Sequence, residues 1–287
     1  MFLKKNKDIS SVPAEAVQSK NKSEKQDGKS GNKKKHRSYL SRYFGKYQVN
    51  SQLVGAEAQR RVPFAVVEAY KNIRIRLLSA LAENNGKIIA FSSPNASEGK
   101  STTAVNTAIT LAQLGKKVII VDADIRRATV NRKLRLPNEK GYTDVVSGGI
   151  ALEEAILHYN EFLDVLPSGP VMSNPSESFV SLNFDRLLSD LRETYDYIII
   201  DTPPINLASD ALAIGQKCDG MLLVVRASVT SYASLKSALL SVNQLNINLL
   251  GTILNGAGAA RNKYRSYYRY SKYGYSKYAY NDYRKLG

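Results

Sequence analysis

Between residues 66 and 255 the chain alternates short apolar runs with longer stretches in which apolar residues recur every three or four positions. Glu68 to Leu81 has helical spacing: Val67, Ile73, Leu77, Leu78 and Leu81 can share one face, with charges opposite. Lys87–Phe91 then reads as a strand, Ser101–Leu114 as a helix and Lys117–Asp122 as a second strand. Phe162–Leu166 is the next strand, followed by a helix over Ser176–Thr194 and a strand over Tyr197–Asp201. Gly220–Val225, a helix over Tyr232–Leu245 and Leu249–Leu254 complete the series. Short strands that are apolar on both faces and separated by helices predict a mostly parallel sheet with helices on both faces, an α/β fold.

The flanks break this pattern. Residues 1–50 are rich in Lys, Ser, Asn and Gln and lack apolar periodicity before Tyr39, so at least residues 1–35 are expected to be disordered. Tyr39, Leu40, Tyr43 and Phe44 read as a linker or as a short amphipathic contact beside Lys and Arg. At the other end lie nine of the 18 tyrosines: Tyr264, Tyr267, Tyr268, Tyr270, Tyr273, Tyr275, Tyr278, Tyr280 and Tyr283. Their spacings fit neither a helix nor a strand, which predicts a flexible low-complexity tail. The expected organisation is a basic arm over 1–50, one domain over 51–260 and a tyrosine-rich tail over 261–287.

Charge follows the same division. The net charge is +16, with 13 basic and 4 acidic residues in the arm and 8 basic and 1 acidic in the tail. The middle is therefore neutral, which argues against a nucleic-acid-binding domain whose basic residues lie on the folded surface. Cys218, the one cysteine, has no disulfide partner, and no Cys/His cluster suggests zinc. No apolar run approaches the ~18 residues of a membrane span, and no signal-peptide pattern is present, so a cytoplasmic protein is expected.

Three strand ends carry the candidate chemistry. The first is Ser92-Ser93-Pro94-Asn95-Ala96-Ser97-Glu98-Gly99-Lys100-Ser101-Thr102, between a strand and a helix. Gly99, Lys100 and Ser101 match G-x-x-x-x-G-K-[ST], although position 94 is proline. In such a P-loop, backbone N–H groups at the helix start cradle phosphates, Lys100 neutralises the β/γ-phosphates of ATP and the Ser101 hydroxyl ligates Mg²⁺. Ala96–Thr102 is the candidate nucleotide-binding loop. The second strand end carries Asp122 and Asp124, followed by Arg126, and the third carries Asp201. Ligands of open α/β sheets bind outside such carboxyl ends, where Asp201 is placed to hold Mg²⁺ with Ser101. A strand-terminal Asp also serves as a helix cap or turn former, and that alternative stays open for Asp122 and Asp201.

Taken in this order, the motifs resemble the bacterial tyrosine kinases, a branch of the deviant-Walker P-loop ATPases, over roughly residues 60–283. The resemblance equates Ala96–Ser101 with Walker A, Asp122, Asp124 and Arg126 with the A′ motif, and Ile198–Asp201 with Walker B. Leu166-Pro167-Ser168-Gly169 is similar to the family's segment before its Walker-B helix. The nine tail tyrosines correspond to its phosphoacceptors, and Glu68, Lys71 and Arg74 approximate its E-x-x-R-x-x-R oligomerisation motif. Ser97 stands where many members carry glycine, and Lys71 replaces an arginine.

The resemblance implies transfer of the ATP γ-phosphoryl group to tyrosines, chiefly the protein's own. Asp122 is then the expected base, because a tyrosine hydroxyl must lose its proton, Asp124 assists metal or acceptor placement, and Arg126 supplies positive charge or pairs with an acid. It also implies a homo-oligomer, a membrane adaptor that places the chain at the inner face of the cell membrane, a cognate phosphatase and a role in capsular or extracellular polysaccharide synthesis. Two alternatives compete. A partitioning-type ATPase of the same superfamily carries a signature lysine where this chain has Asn95, and a nucleic-acid binder would use the basic, aromatic tail for stacking.

Overall fold

The computed structural model describes residues 2–3 and 64–257. The expected arm, apart from Phe2–Leu3, and the expected tail lie outside these residues. The order along the chain is β1 (Phe2–Leu3), α1 (Phe64–Ala82), β2 (Ile88–Ser92), α2 (Lys100–Ala112) and β3 (Val118–Asp122). Short helices α3 (Val130–Leu134), α4 (Tyr142–Val146) and α5 (Leu152–Ala155) lead to β4 (Leu157–Asn160) and β5 (Leu163–Leu166). Then follow α6 (Pro175–Ser178), α7 (Leu182–Thr194), β6 (Tyr197–Asp201), α8 (Asp210–Gln216), β7 (Gly220–Arg226), α9 (Tyr232–Gln244) and β8 (Leu249–Asn255).

The strands form one sheet in the order β1-β8-β7-β2-β6-β3-β5-β4. The six central strands are parallel, and the edge strands β1 and β4 run antiparallel to β8 and β5. Side chains of a strand point alternately to its two faces, and every central strand uses both. Ile88 and Ala90, Ile119 and Val121, Ile198 and Ile200, and Met221 and Leu223 pack on one side with α7, α8 and α9. Ile89 and Phe91, Val118 and Ile120, Ile199, and Leu222 and Val224 pack on the other with α1, α2 and α3. Burial on both faces is why these runs are continuously apolar. On α1, Ile73, Leu77 and Leu81 are buried and Leu78 is half-buried, as the helical spacing predicts.

One sequence expectation is corrected, and several short elements are added. The predicted helix over 176–194 is two helices, with Phe179 between them fully buried and stacked on Tyr142 at 5.1 Å. Serine hydroxyls compete with the helical ladder there. Ser178 Oγ donates to Pro175 O at 2.6 Å, Ser181 Oγ donates to Ser178 O at 2.7 Å, and Ser181 then caps α7 by accepting from Phe184 N. The edge strand β4 and the short helices α3, α4, α5 and α8 have no counterpart in the periodicity. They are too short, at four to seven residues, to show a period.

For function, the sheet order places the carboxyl ends of β2, β6 and β3 side by side. Asp122 and Asp201 are register partners at the ends of adjacent strands.

Candidate active site

The loop leaving β2 is built around two left-handed residues. Ser97 has φ 66° and Gly99 φ 102°, so the turn falls there and not at Pro94, where a proline is accommodated. A Cβ on Gly99 would lie 2.1 Å from Asn255 Nδ2, so this position needs glycine for space as well as conformation. Asn255 Nδ2 donates to Glu98 O at 2.8 Å, and Arg226 donates to Ser97 O at 2.9 Å. The ends of β8 and β7 thus hold the loop from outside.

Glu98 is turned inward. Its buried carboxylate accepts from Asn95 N at 3.0 Å, Asn95 Nδ2 at 3.1 Å and Thr230 Oγ1 at 2.6 Å. It braces the loop, and what Glu98 can offer a phosphate is its backbone, not its carboxylate. Asn95 Oδ1 in turn accepts from Ser234 Oγ at 2.8 Å. The residue at the position of the partitioning ATPases' signature lysine is therefore an internal brace of its own chain. From Gly99 the chain enters α2, whose first-turn N–H groups have no intrahelical acceptor.

Lys100 is the hub. Its Nζ lies 2.9 Å from Asp124 Oδ2, 3.3 Å from Asp201 Oδ1 and 3.2 Å from Ser101 Oγ, in a setting that leaves it nearly without solvent contact. Burial by itself would lower the lysine's pKa, but the charges of Asp201 and Asp124 outweigh it and the net direction is up. Asp201 is wholly buried. Burial raises its carboxyl, against the attraction of Lys100, and its Oδ2 has no hydrogen-bond partner.

For Asp122 the structure shows the capping role that the sequence left open. Its Oδ2 accepts from Thr129 N at 2.8 Å and Val130 N at 2.9 Å, which anchors the start of α3. Burial, with the charge of Asp201 beside it, also pushes its carboxyl up to about 7. Asp122→Asn tests this. Between pH 3.8 and about 7 the folded protein holds a proton that the unfolded chain has released, so ionisation opposes folding as pH rises through that window. The asparagine variant escapes this loss. Its melting temperature relative to the parent should climb from about pH 4 to about pH 7 in metal- and nucleotide-free buffer. A difference that stays constant with pH would contradict a raised Asp122.

Arg126 does not join this cluster. Its side chain is 54% exposed and reaches the buried Asp210 at 3.4 Å, with Ser176 Oγ also at 3.4 Å. Ser176 itself donates to Asp210. Asp210, Ser176, Thr129 and Lys133, all joined to the expected residues here, are new to the set. They sit on α8, at the start of α6, at the N-cap of α3 and within α3, short elements that carry no motif.

Glu68, Lys71 and Arg74 lie apart, on α1. Lys71 pairs with Glu68 at 2.9 Å, the local i,i+3 contact, while Arg74 donates to Thr110 O of α2 at 2.8 Å. The expected phosphoacceptors Tyr264, Tyr267, Tyr268, Tyr270, Tyr273, Tyr275, Tyr278, Tyr280 and Tyr283 all lie outside the described residues, which end at 257, so the site is described without them. Among the described residues no helix is long and apolar enough to cross a membrane.

An anion-ready helix start, a lysine and three acids at neighbouring strand ends offer chemistry suited to a phosphorylated ligand. The comparisons agree with that chemistry. The AAA domain family matches residues 86–250, more than half of the chain. Tyrosine-protein kinase YwqD of Bacillus subtilis (strain 168) is 37% identical over 202 residues, covering 70% of this chain and 85% of that protein. Tyrosine-protein kinase CpsD of Streptococcus agalactiae is 35% identical over 207 residues, covering 71% and 90%. The solved kinase domain of Escherichia coli tyrosine kinase ETK superposes with a TM-score of 0.64 at 31% identity, covering 66% of this chain and 75% of that one. Likeness of this extent, spanning the phosphate loop and the acid-bearing strands alike, places the chain among the bacterial tyrosine kinases: it is a nucleotide-binding protein-tyrosine kinase of the P-loop superfamily.

Proposed function

We propose that this kinase transfers the γ-phosphoryl group of ATP to the tyrosines of its own tail, from Tyr264 to Tyr283, and that it acts with a separate membrane adaptor in capsular or extracellular polysaccharide synthesis. The observation that carries the chemistry is Lys100 held between Asp124 and Asp201 at the start of α2. In this arrangement Lys100 is stored against the acids and passes to the β/γ-phosphates when ATP enters. The oxygen donors present suit Mg²⁺, a hard cation: the Ser101 hydroxyl and the unpartnered, buried Oδ2 of Asp201 would hold it, with Asp124 nearby. The ion would neutralise charge developing on the phosphates. Asp201 meets Lys100 through Oδ1 and leaves Oδ2 free, so the ion would not have to displace the lysine.

Asp122 is the proposed base. A tyrosine hydroxyl with a pKa near ~10 is protonated at neutral pH, so its proton must leave as the new P–O bond forms. A carboxyl raised to about 7 is a better acceptor than an ordinary aspartate. Arg126, on the outer margin, would supply charge to the acceptor side. The test is incubation of the full chain with Mg-ATP, with and without a candidate adaptor, and mass spectrometry of the tail. Adaptor-dependent phosphotyrosine within 264–283 supports the reading. Phosphate transfer to added peptides with none in the tail would sink the self-phosphorylation part of it.

Assembly into a homo-oligomer through α1 belongs to the same proposal and has its own test. Arg74 is tied to its own α2, so replacing it would mix a folding effect with an interface effect. The exposed pair Glu68–Lys71 is the cleaner target, since such surface pairs contribute only ~0–1 kcal/mol to folding. Glu68→Ala with Lys71→Ala should therefore leave the melting temperature nearly unchanged, lower the mass seen by light scattering and reduce tail phosphorylation. An unchanged mass from an oligomeric parent would reject α1 as the interface.

A further inference from the structure

Lys133 is the cation at this site that the P-loop pattern does not account for. It lies on α3, four residues after Thr129, so the two side chains share a face of the helix. Both reach the start of α2. Thr129 Oγ1 donates to Ser101 Oγ at 3.0 Å, and Lys133 Nζ donates to Thr102 Oγ1 at 2.7 Å. The bonds from Thr129 N and Val130 N to Asp122 Oδ2 pin this helix to the end of β3. Lys133 is thus held beside the phosphate loop by the same contacts that order Asp122 and Ser101.

Its surroundings are unlike those of Lys100. Lys100 is offset by two carboxylates within ion-pair distance, whereas no carboxylate among the described residues comes that close to Lys133. The partner it has, a threonine hydroxyl, is neutral. Burial holds its ammonium below the usual lysine range, opposed by Asp201 and reinforced by Lys100 and Arg132. A half-buried cation with no carboxylate in ion-pair contact carries a desolvation cost that a bound anion would relieve.

We propose that Lys133 is a second phosphate-binding cation of the nucleotide site, its ammonium contacting the phosphate chain next to Thr102 while Lys100 serves the other end. This rests on the reading that residues 96–102 hold the phosphates. The contact divides the labour between the two lysines: Lys100 is drawn from the acids to the transferring group, and Lys133 grips the part of the phosphate chain that stays behind as ADP. ADP affinity is therefore the property that Lys133 sets.

The experiment is calorimetric titration of the full chain and of Lys133→Gln, Lys133→Met and Lys133→Arg with Mg-ADP. Glutamine keeps a donor for Thr102 but removes the charge, so it separates phosphate binding from a merely structural bond. Gln and Met should each weaken ADP binding roughly tenfold, the scale of one charge-assisted contact, and Arg should restore most of it. Circular dichroism checks each fold, and if Met fails to fold the Gln and Arg pair carries the comparison. A Gln variant that binds Mg-ADP as tightly as the parent overturns the proposal and leaves Lys133 as a prop for Thr102. A parent chain that does not bind Mg-ADP overturns the phosphate-loop reading and the proposal together.

Discussion

Lys100→Met is expected to reduce tyrosine phosphorylation by at least ~10²–10³-fold, the usual loss when a preorganised charge facing the developing negative charge is removed. Methionine roughly keeps the length of the side chain and deletes its charged Nζ with the bonds to Ser101, Asp124 and Asp201. The structure adds a second consequence. Lys100 is also the counter-ion of Asp124 and Asp201, both nearly or wholly buried. Removing one member of a buried ion pair costs ~3–5 kcal/mol where the remaining charge cannot be neutralised. Here Asp201, whose carboxyl burial already raises, can take up a proton as the pH falls. The variant should therefore melt well below the parent at pH 8 and draw closer to it at pH 5. Both effects are read on one preparation, by phosphotyrosine quantification with Mg-ATP and by melting curves at the two pH values. Near-native phosphorylation would remove Lys100 from the phosphates. A melting difference independent of pH would mean that the acids do not need it.

Gly99→Ala has the next largest expected effect, and it acts through shape. At φ 102° an L-residue is strained by ~1–3 kcal/mol. The added methyl would also meet Asn255 Nδ2 at 2.1 Å and its Cγ at 3.3 Å, which forces Asn255 off Glu98 O. Loop, brace and first turn of α2 would shift together, so nucleotide binding and phosphorylation should fall by at least tenfold, with a lower melting temperature. The double variant Gly99→Ala with Asn255→Ala distinguishes the two causes. If collision dominates, the double variant is more stable than the sum of the single losses implies, since residues in contact do not act additively. A Gly99→Ala chain with native melting and native ADP affinity would contradict the geometry of the loop.

Several choices at this site had no trace in the order of residues. Glu98 lies inside the phosphate-loop motif, so its position suggested nucleotide contact. Only the fold brings Asn95 and Thr230 around its carboxylate and makes it a brace. Arg126 follows the acids in the same motif, yet Asp210, 84 residues further on, draws it to the margin. Lys133 has no motif at all. It acquires its place because α3 starts on Asp122 and presents one face to α2. Asn95 is a near neighbour of Glu98, but Thr230, Asp210 and Thr102 are remote along the chain from the residues they engage, and spacing holds no information about contacts of that kind.

Local periodicity and local chemistry, by contrast, were sufficient for the frame. Runs such as Ile88–Phe91 and Ile198–Ile200 are apolar at every position because both sheet faces are covered, and that demand is written residue by residue. The phosphate loop was legible because glycine, lysine and serine must be adjacent to turn the chain, carry charge and open a helix at one point. The acids were legible as strand ends. Whether Asp122 caps a helix, holds a proton or does both was decided by the neighbours that the tertiary structure supplied: two backbone N–H groups of α3 on one side and Asp201 across the sheet on the other. Sequence by itself determined which groups could do chemistry here. Only packing, which sets burial and brings remote charges within a few ångströms, decided what each of them is held against and moved the Asp122 and Asp201 carboxyls up from their ordinary range.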